Sequence, residues 1–223
     1  MSVCRGQGSV YCAMLWPVWS IHRAFDVVSR WAASGLALSC VLACSGQATS
    51  QGTGADDEGG GACNVVPKTV TGLTQLHVDA CSALDYPDQP PAGGNHYPVW
   101  AAYQSYSFAV PRGFWVHDME HGAVVYSYNC GDGCPDEVAR VQALIDALPV
   151  DEECAASEPH RVVLTPDPLL DVRWGVSAWG HTLRADCVDA DRFRQFYLNH
   201  FGRGPEVGVC GNGSNFDGVP PCQ

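Results

Sequence analysis

The sequence predicts an α+β domain: a small mixed or antiparallel sheet with two helices on one face, a loop-rich N-terminal third and disulfide staples. Three observations point there. From Gly122 onward the apolar segments run strand, helix, strand, strand, helix, an order that packs helices as a layer on a sheet. The stretch before them is dense in Pro and Gly, as in DYPDQPPAGGNHYP, and cannot form regular structure. Twelve cysteines in 223 residues exceed cytosolic usage, and few stand in C-x-x-C pairs. They therefore read as disulfides of an oxidising compartment rather than as zinc ribbons.

The start of the chain agrees with that compartment. Ser34 to Cys44, SGLALSCVLAC, is a short apolar run closed by small residues, with Arg30 before it and a polar, glycine-rich stretch after it. This is the pattern of a secretory signal, and the run falls short of the ~20 apolar residues that a membrane span needs. Val41-Leu42-Ala43-Cys44 resembles a bacterial lipobox, in which Cys44 is lipidated after cleavage. Residues 1–43 are thus read as a signal peptide. Translation is expected to begin near Val28, because Cys4, Cys12, Trp16 and Asp26 fit no signal. Residues 44–62 form a lipidated flexible tether with too few apolar groups to order, and 63–223 form a single domain. The expected location is the cell envelope, lipid-anchored on a periplasmic or outer-membrane face, or outside the cell without lipidation. Loss of Arg5, Arg23, Arg30 and Asp26 with the signal takes the formal charge from −12 to −14. Such a surface repels nucleic acid, so the membrane is the one partner expected, reached through the lipid; no protein partner is legible.

Within the domain, Leu76–Val78 is a candidate short strand, and Trp100–Val110 is aromatic without a clear period. Gly122–Tyr128, GAVVYSY, is the best strand, with a β-branched centre suited to a core. Asn129–Pro135 is a turn into a helix. Pro135 suits the first helical position, and Asp136 and Glu137 favour its positive end. Val138, Val141, Leu144, Ile145 and Leu148 follow at helical spacing up to Pro149. Arg161–Thr165 reads as a strand ended by Pro166 and Pro168, and Val172–Trp179 as another with alternating apolar residues. A second helix starts near Asp189, carries Phe193, Phe196, Tyr197 and Phe201 on one side, and stops at Gly202.

Besides Cys44 the exported chain keeps Cys63, Cys81, Cys130, Cys134, Cys154, Cys187, Cys210 and Cys222. An even number reads as four disulfides, with roughly a hundred possible connectivities. Local pairing favours Cys63–Cys81, Cys130–Cys134 and Cys210–Cys222, which leaves Cys154–Cys187. The layout is similar to the C-terminal part of a thioredoxin-like fold. Cys130 and Cys134 are spaced C-x-x-x-C, however, and read as a structural pair.

The chemistry concentrates in Phe114–Tyr128, FWVHDMEHGAVVYSY, which holds His117, Glu120 and His121. On a helical turn, residues i and i+4 share a face with Cβ atoms about 5–6 Å apart, whereas on a strand they are about 13 Å apart. A shared ion therefore requires a turn at His117–His121, ended by Gly122. His96 stands in a Pro/Gly loop, and His77 lies in the same half of the chain. The candidate metal ligands are His77, His96, His117 and His121; Glu120 stands behind them to orient a ring or adds a further ligand, and Asp118 is another candidate for the orienting role. Imidazoles in this number suit zinc or copper. His160, His181 and His200 read as structural.

Three functions compete: a metal-binding protein of unknown activity, a metal-dependent enzyme, and a disulfide-stapled structural or interaction lipoprotein without metal. His117–His121 matches H-x-x-E-H, a zinc-peptidase pattern in which Glu120 would be the general base. Such peptidases carry it within a long helix, and here Pro111, Gly113 and Gly122 leave room for two turns, so Glu120 is a weak catalytic candidate and no catalytic residue is assigned. There is no Gly-x-Ser-x-Gly elbow and no phosphate loop, and Lys68 is the sole lysine.

PPAGGNHYPVWAAYQSY, WVHDMEHGAVVYSYNC, AWGHTLRADC and GRGPE resemble the uncharacterised DUF3105 family of exported or membrane-anchored bacterial proteins, which has related eukaryotic domains. The resemblance covers about residues 70–206. Its most specific parts are G-x-H-Y-P-V-W and H-x-x-E-H-G, and the family pattern places a histidine ahead of the first, where His77 stands. The family usually has P-P-T-S-G-P-H where this chain has Pro90–His96, and more often Leu at Met119, which implies that Met119 packs rather than ligates. The resemblance implies no activity.

Overall fold

The computed structural model describes residues 62–131 and 133–222. The expected signal peptide, the expected start near Val28, Cys44 and the expected tether up to residue 61 lie outside the described residues. Eight regular elements follow in order: β1 (Val65–Thr69), α1 (Arg112–Glu120), β2 (Val124–Tyr128), α2 (Pro135–Asp146), β3 (Val162–Pro166), β4 (Trp174–Ala178), β5 (His181–Ala185) and α3 (Ala190–His200). The five strands form one sheet in the order β1-β5-β4-β2-β3. β2 and β3 are parallel and joined through α2; the other pairs are antiparallel, so the sheet is mixed.

Period-two alternation puts successive side chains of a strand on opposite faces. Val124 and Tyr126 join Leu164, Trp174, Val176 and Leu183 in a core covered by Val141 and Ile145 of α2 and Phe193, Phe196 and Tyr197 of α3. These two helices share one face, as the sequence predicts. Val125 and Val163 point the other way, into a second core with Trp115, Val116 and Met119 of α1 and Tyr97, Tyr103 and Tyr106 of the loop-rich segment. Both faces of the sheet are covered, which is why β2 and β3 read as continuous apolar runs. Burying one large apolar side chain such as the fully enclosed Trp115 contributes about 1.5–3 kcal/mol.

Two strands depart from the sequence reading. β1 carries Pro67 and four exposed positions, and β5 mixes His181 and Arg184 with its apolar residues, so neither shows a clean pattern. β1 is an edge strand, where a proline can be tolerated. β5 forms a hairpin with β4 across Trp179-Gly180, and Gly180 takes the positive φ of +77° that this tight reversal needs. The expected strand at Leu76–Val78 reduces to an isolated bridge between His77 and His96.

The disulfides are Cys63–Cys187, Cys81–Cys222, Cys130–Cys134 and Cys154–Cys210. Only Cys130–Cys134 follows the expectation; the local pairs Cys63–Cys81 and Cys210–Cys222 and the remaining Cys154–Cys187 are replaced by distant pairs. The cause is topological. β1 lies against β5, which sets Cys63 beside Cys187. The tail runs back over the N-terminal loops, where the Ala102 amide donates to Ser214 O and the Ser214 amide to Trp100 O, and this carries Cys222 to Cys81. Four disulfides are the signature of an oxidising environment. No helix among the described residues is long and apolar enough to cross a membrane.

Candidate metal centre

α1 delivers the central candidate ligands, His117 and Glu120. Its nine residues are all buried, so it has no polar face and no amphipathic signature. Gly113 lets the helix lie under Tyr97 and Leu84, since a Cβ there would meet their side chains at 2.6 and 2.7 Å. Arg112 anchors the first turn through a buried pair with Asp167 at 2.9 Å. The last turn closes as a Schellman motif: the Ala123 amide donates to Asp118 O, the Gly122 amide to Met119 O, and Gly122 has φ +88°. The helix thus stops at His121 and the chain enters β2, as the sequence requires.

His77 and His96 arrive from two loops that hold each other in register. The Val78 amide donates to His96 O at 2.8 Å and the His96 amide to Leu76 O at 3.1 Å. The rings of His77, His96 and His117 form a near-equilateral triangle with centroids 4.7–4.9 Å apart. Glu120 closes it. Its Oε2 lies 2.9 Å from His96 Nε2, 3.8 Å from His77 Nε2 and 3.9 Å from His117 Nε2. One ligating atom from each of these four residues lies within 4.8 Å of the others. His96, His117 and Glu120 are buried, and His77 is half exposed at the mouth.

Backbone carbonyls set the tautomers. His96 Nδ1 contacts Gly94 O at 2.8 Å and His117 Nδ1 contacts Tyr97 O at 2.6 Å. A carbonyl only accepts, so each Nδ1 carries a hydrogen and each ring turns its Nε2 to the centre. His96 Nε2 and Glu120 Oε2, though 2.9 Å apart, do not meet the angular geometry of a hydrogen bond, and neither has another partner among the described residues. Burial pushes the His117 imidazole down to about 3, helped by the neighbouring His121, His96 and His77, which keeps it neutral. Burial raises the Glu120 carboxyl, with His96 and His77 opposing. Three imidazoles thus surround one buried carboxyl.

His121 and Asp118 stand elsewhere. The converging group contains Glu120, which the sequence reading set behind the ligands or as an extra one, while His121, set among the ligands, falls in an adjoining group with Glu120 and Glu206. The His121 ring packs on Trp100 and His117, with Nε2 3.8 Å from Glu206 Oε2, and burial pushes it down to about 4. Asp118 is fully buried, and neither of its oxygens has a hydrogen-bond partner among the described residues, so it orients no imidazole. Burial raises its carboxyl well above the usual range. Met119 is enclosed in the apolar core. His181 and His200 stack on each other at 4.0 Å, away from the centre. Sequence reasoning missed Glu206. Its signal is the GRGPE segment, whose glycines mark a close approach of backbone to backbone.

A family model described as "Protein of unknown function (DUF3105)" matches residues 77–212, a span that opens on His77 and includes His96, His117, Glu120, His121 and Glu206. No curated protein and no solved structure matches the chain.

Proposed function

The chain belongs to the DUF3105 family, whose description names no function, so the reading comes from its site: we propose that it is an exported metal-binding protein that holds one zinc or copper ion in His77, His96, His117 and Glu120. The observation that carries this is the convergence of three imidazole Nε2 atoms on Glu120 Oε2 at 2.9–3.9 Å. A tetrahedral ion with bonds of ~2.0–2.1 Å spaces its donors about 3.3–3.4 Å apart, the middle of that range. The ion would also set a positive charge against the buried carboxyl of Glu120.

Four protein donors close a tetrahedral shell, which favours a held ion over hydrolysis. With Glu120 in the shell, the H-x-x-E-H pattern has no free general base and His121 is no ligand of this ion. The test is elemental analysis of protein purified from its own envelope, since overexpression loads whichever ion is abundant. At least one zinc or copper per chain is expected, with loss on His117→Ala. Protein without either metal, indifferent to that substitution, ends this reading.

We also infer that Cys44 carries the lipid and that the polar tether holds the domain at the membrane. The support is the lipobox-like Val41–Cys44 together with the disulfide-rich domain downstream. Cys44→Ser should move the protein from the membrane fraction to the soluble one; an unchanged distribution refutes it.

A further inference from the structure

A second group of ligating atoms adjoins the first. One atom each from Glu120, His121 and Glu206 lies within 4.8 Å of the others, and Glu120 belongs to both groups. We propose that the centre is dinuclear: a second divalent cation binds between Glu120, His121 and Glu206, and the Glu120 carboxylate bridges it to the inner ion. This rests on the inner site proposed above.

The outer group is built by the fold. His121 and Glu120 are almost wholly buried, and His121 Nδ1 and Glu120 Oε2 have no hydrogen-bond partner among the described residues. Glu206 is delivered by the segment Gly202–Glu206, which docks on the end of α1. The Gly202 amide donates to Gly122 O at 2.8 Å and the Glu206 amide to Glu120 O at 2.9 Å. Only glycine fits at 204, where a Cβ would stand 2.5 Å from Met119 O and 2.6 Å from Gly122 N. From the other side, buried Arg161 donates from Nη1 to His121 O at 2.5 Å and pairs through Nε with Asp151 at 2.7 Å. The backbones of His121 and Glu206 are thus both held, while the Glu206 side chain stays 57 % exposed.

The donors differ in consequence. The inner ion has three imidazoles and one carboxylate oxygen. The outer has one imidazole and two carboxylates, a harder set that suits zinc or manganese. With three protein donors, the outer ion keeps a position for water or a small oxyanion. Two-metal centres place their ions about 3.5–4 Å apart, a separation that one carboxylate can bridge. Trp100, packed at 4.7 Å on His121 and 5.2 Å on His117, walls the pair on one side.

The test is zinc stoichiometry. Full-length protein is stripped with chelator, titrated with zinc chloride and measured by elemental analysis after desalting. Two ions per chain are expected, the second released more readily, and Glu206→Gln should leave one. The exposed control Glu152→Gln should keep two. One ion in the unsubstituted protein, or two in Glu206→Gln, overturns the dinuclear centre and leaves the inner site standing. No ion in any form removes both.

Discussion

Replacing Glu120 by Gln separates a ligand from a fold-holding residue, because the two roles move stability in opposite directions. Without metal, the Glu120 carboxyl lies 2.9 Å from His96 Nε2, on a ring whose Nδ1 is held by Gly94 O. The Gln amide has the same shape and offers an N–H donor to that Nε2, so the metal-free variant should melt at the wild-type temperature or above it. With metal, the variant loses its only anionic donor at the inner ion. Loss of an orienting partner alone costs up to about 100-fold in metal affinity, so removal of a direct ligand should cost at least ~100-fold. At free zinc 100 times the wild-type Kd, wild type gains about 2.7 kcal/mol and the variant about 0.4 kcal/mol. For a domain of this size, each kcal/mol shifts Tm by about 2–4 °C. The assay is thermal unfolding by circular dichroism with and without zinc. A rise of about 5–10 °C is expected for wild type and of ~1 °C for Glu120→Gln. Equal zinc-induced rises refute the reasoning, as does a metal-free variant that melts several degrees low and keeps its zinc shift.

Gly204→Ala should destabilise by about 2–3 kcal/mol, because the new methyl meets backbone that cannot move aside; a urea midpoint that falls at constant slope would show it. Joint replacement of Cys81 and Cys222 by Ser opens a cross-link spanning 141 residues and should cost about 2–5 kcal/mol, read from the same denaturation curves. The stacked His181 and His200 are held neutral by burial, with His200 pushed down to about 4 and Arg203 acting in the same direction on both. An unfolded histidine titrates near ~6.5, so the unfolded chain binds more protons between these values and stability is lost as pH falls through that window. His200→Phe should flatten the decline of Tm between pH 6.5 and 4; an unchanged slope would place the acid sensitivity elsewhere.

The helices and central strands were legible because their burial is one-sided or β-branched: α2 repeats Val141 and Ile145 at helical spacing, and β2 is VVYSY. α1 was legible only as a turn. A helix enclosed on every side shows no period, and its presence followed from what His117 and His121 would need. β1 escaped notice because an edge strand with Pro67 resembles a loop. Within the site, His77, His96 and His117 could be picked from their clustering. Which of Glu120 and His121 faces the histidine triangle could not, because positions three and four along a helix are both close to His117. The choice between them is made by where the His96 loop lands, a matter of tertiary contact. The distant disulfides were hidden for the same reason.

The docking of Gly202–Glu206 on α1, and of the tail on the Trp100 segment, has a consequence for the order of assembly. A chain that emerges N-terminus first exposes His77, His96 and α1 long before the residues that complete their surroundings. The inner donors could bind an ion early, but the outer position cannot exist until the last part of the chain has arrived and folded back. Cys81 must likewise wait unpaired for Cys222. In the proposed two-ion centre the outer ion is therefore taken up only where the last segment has folded back, later than the inner one.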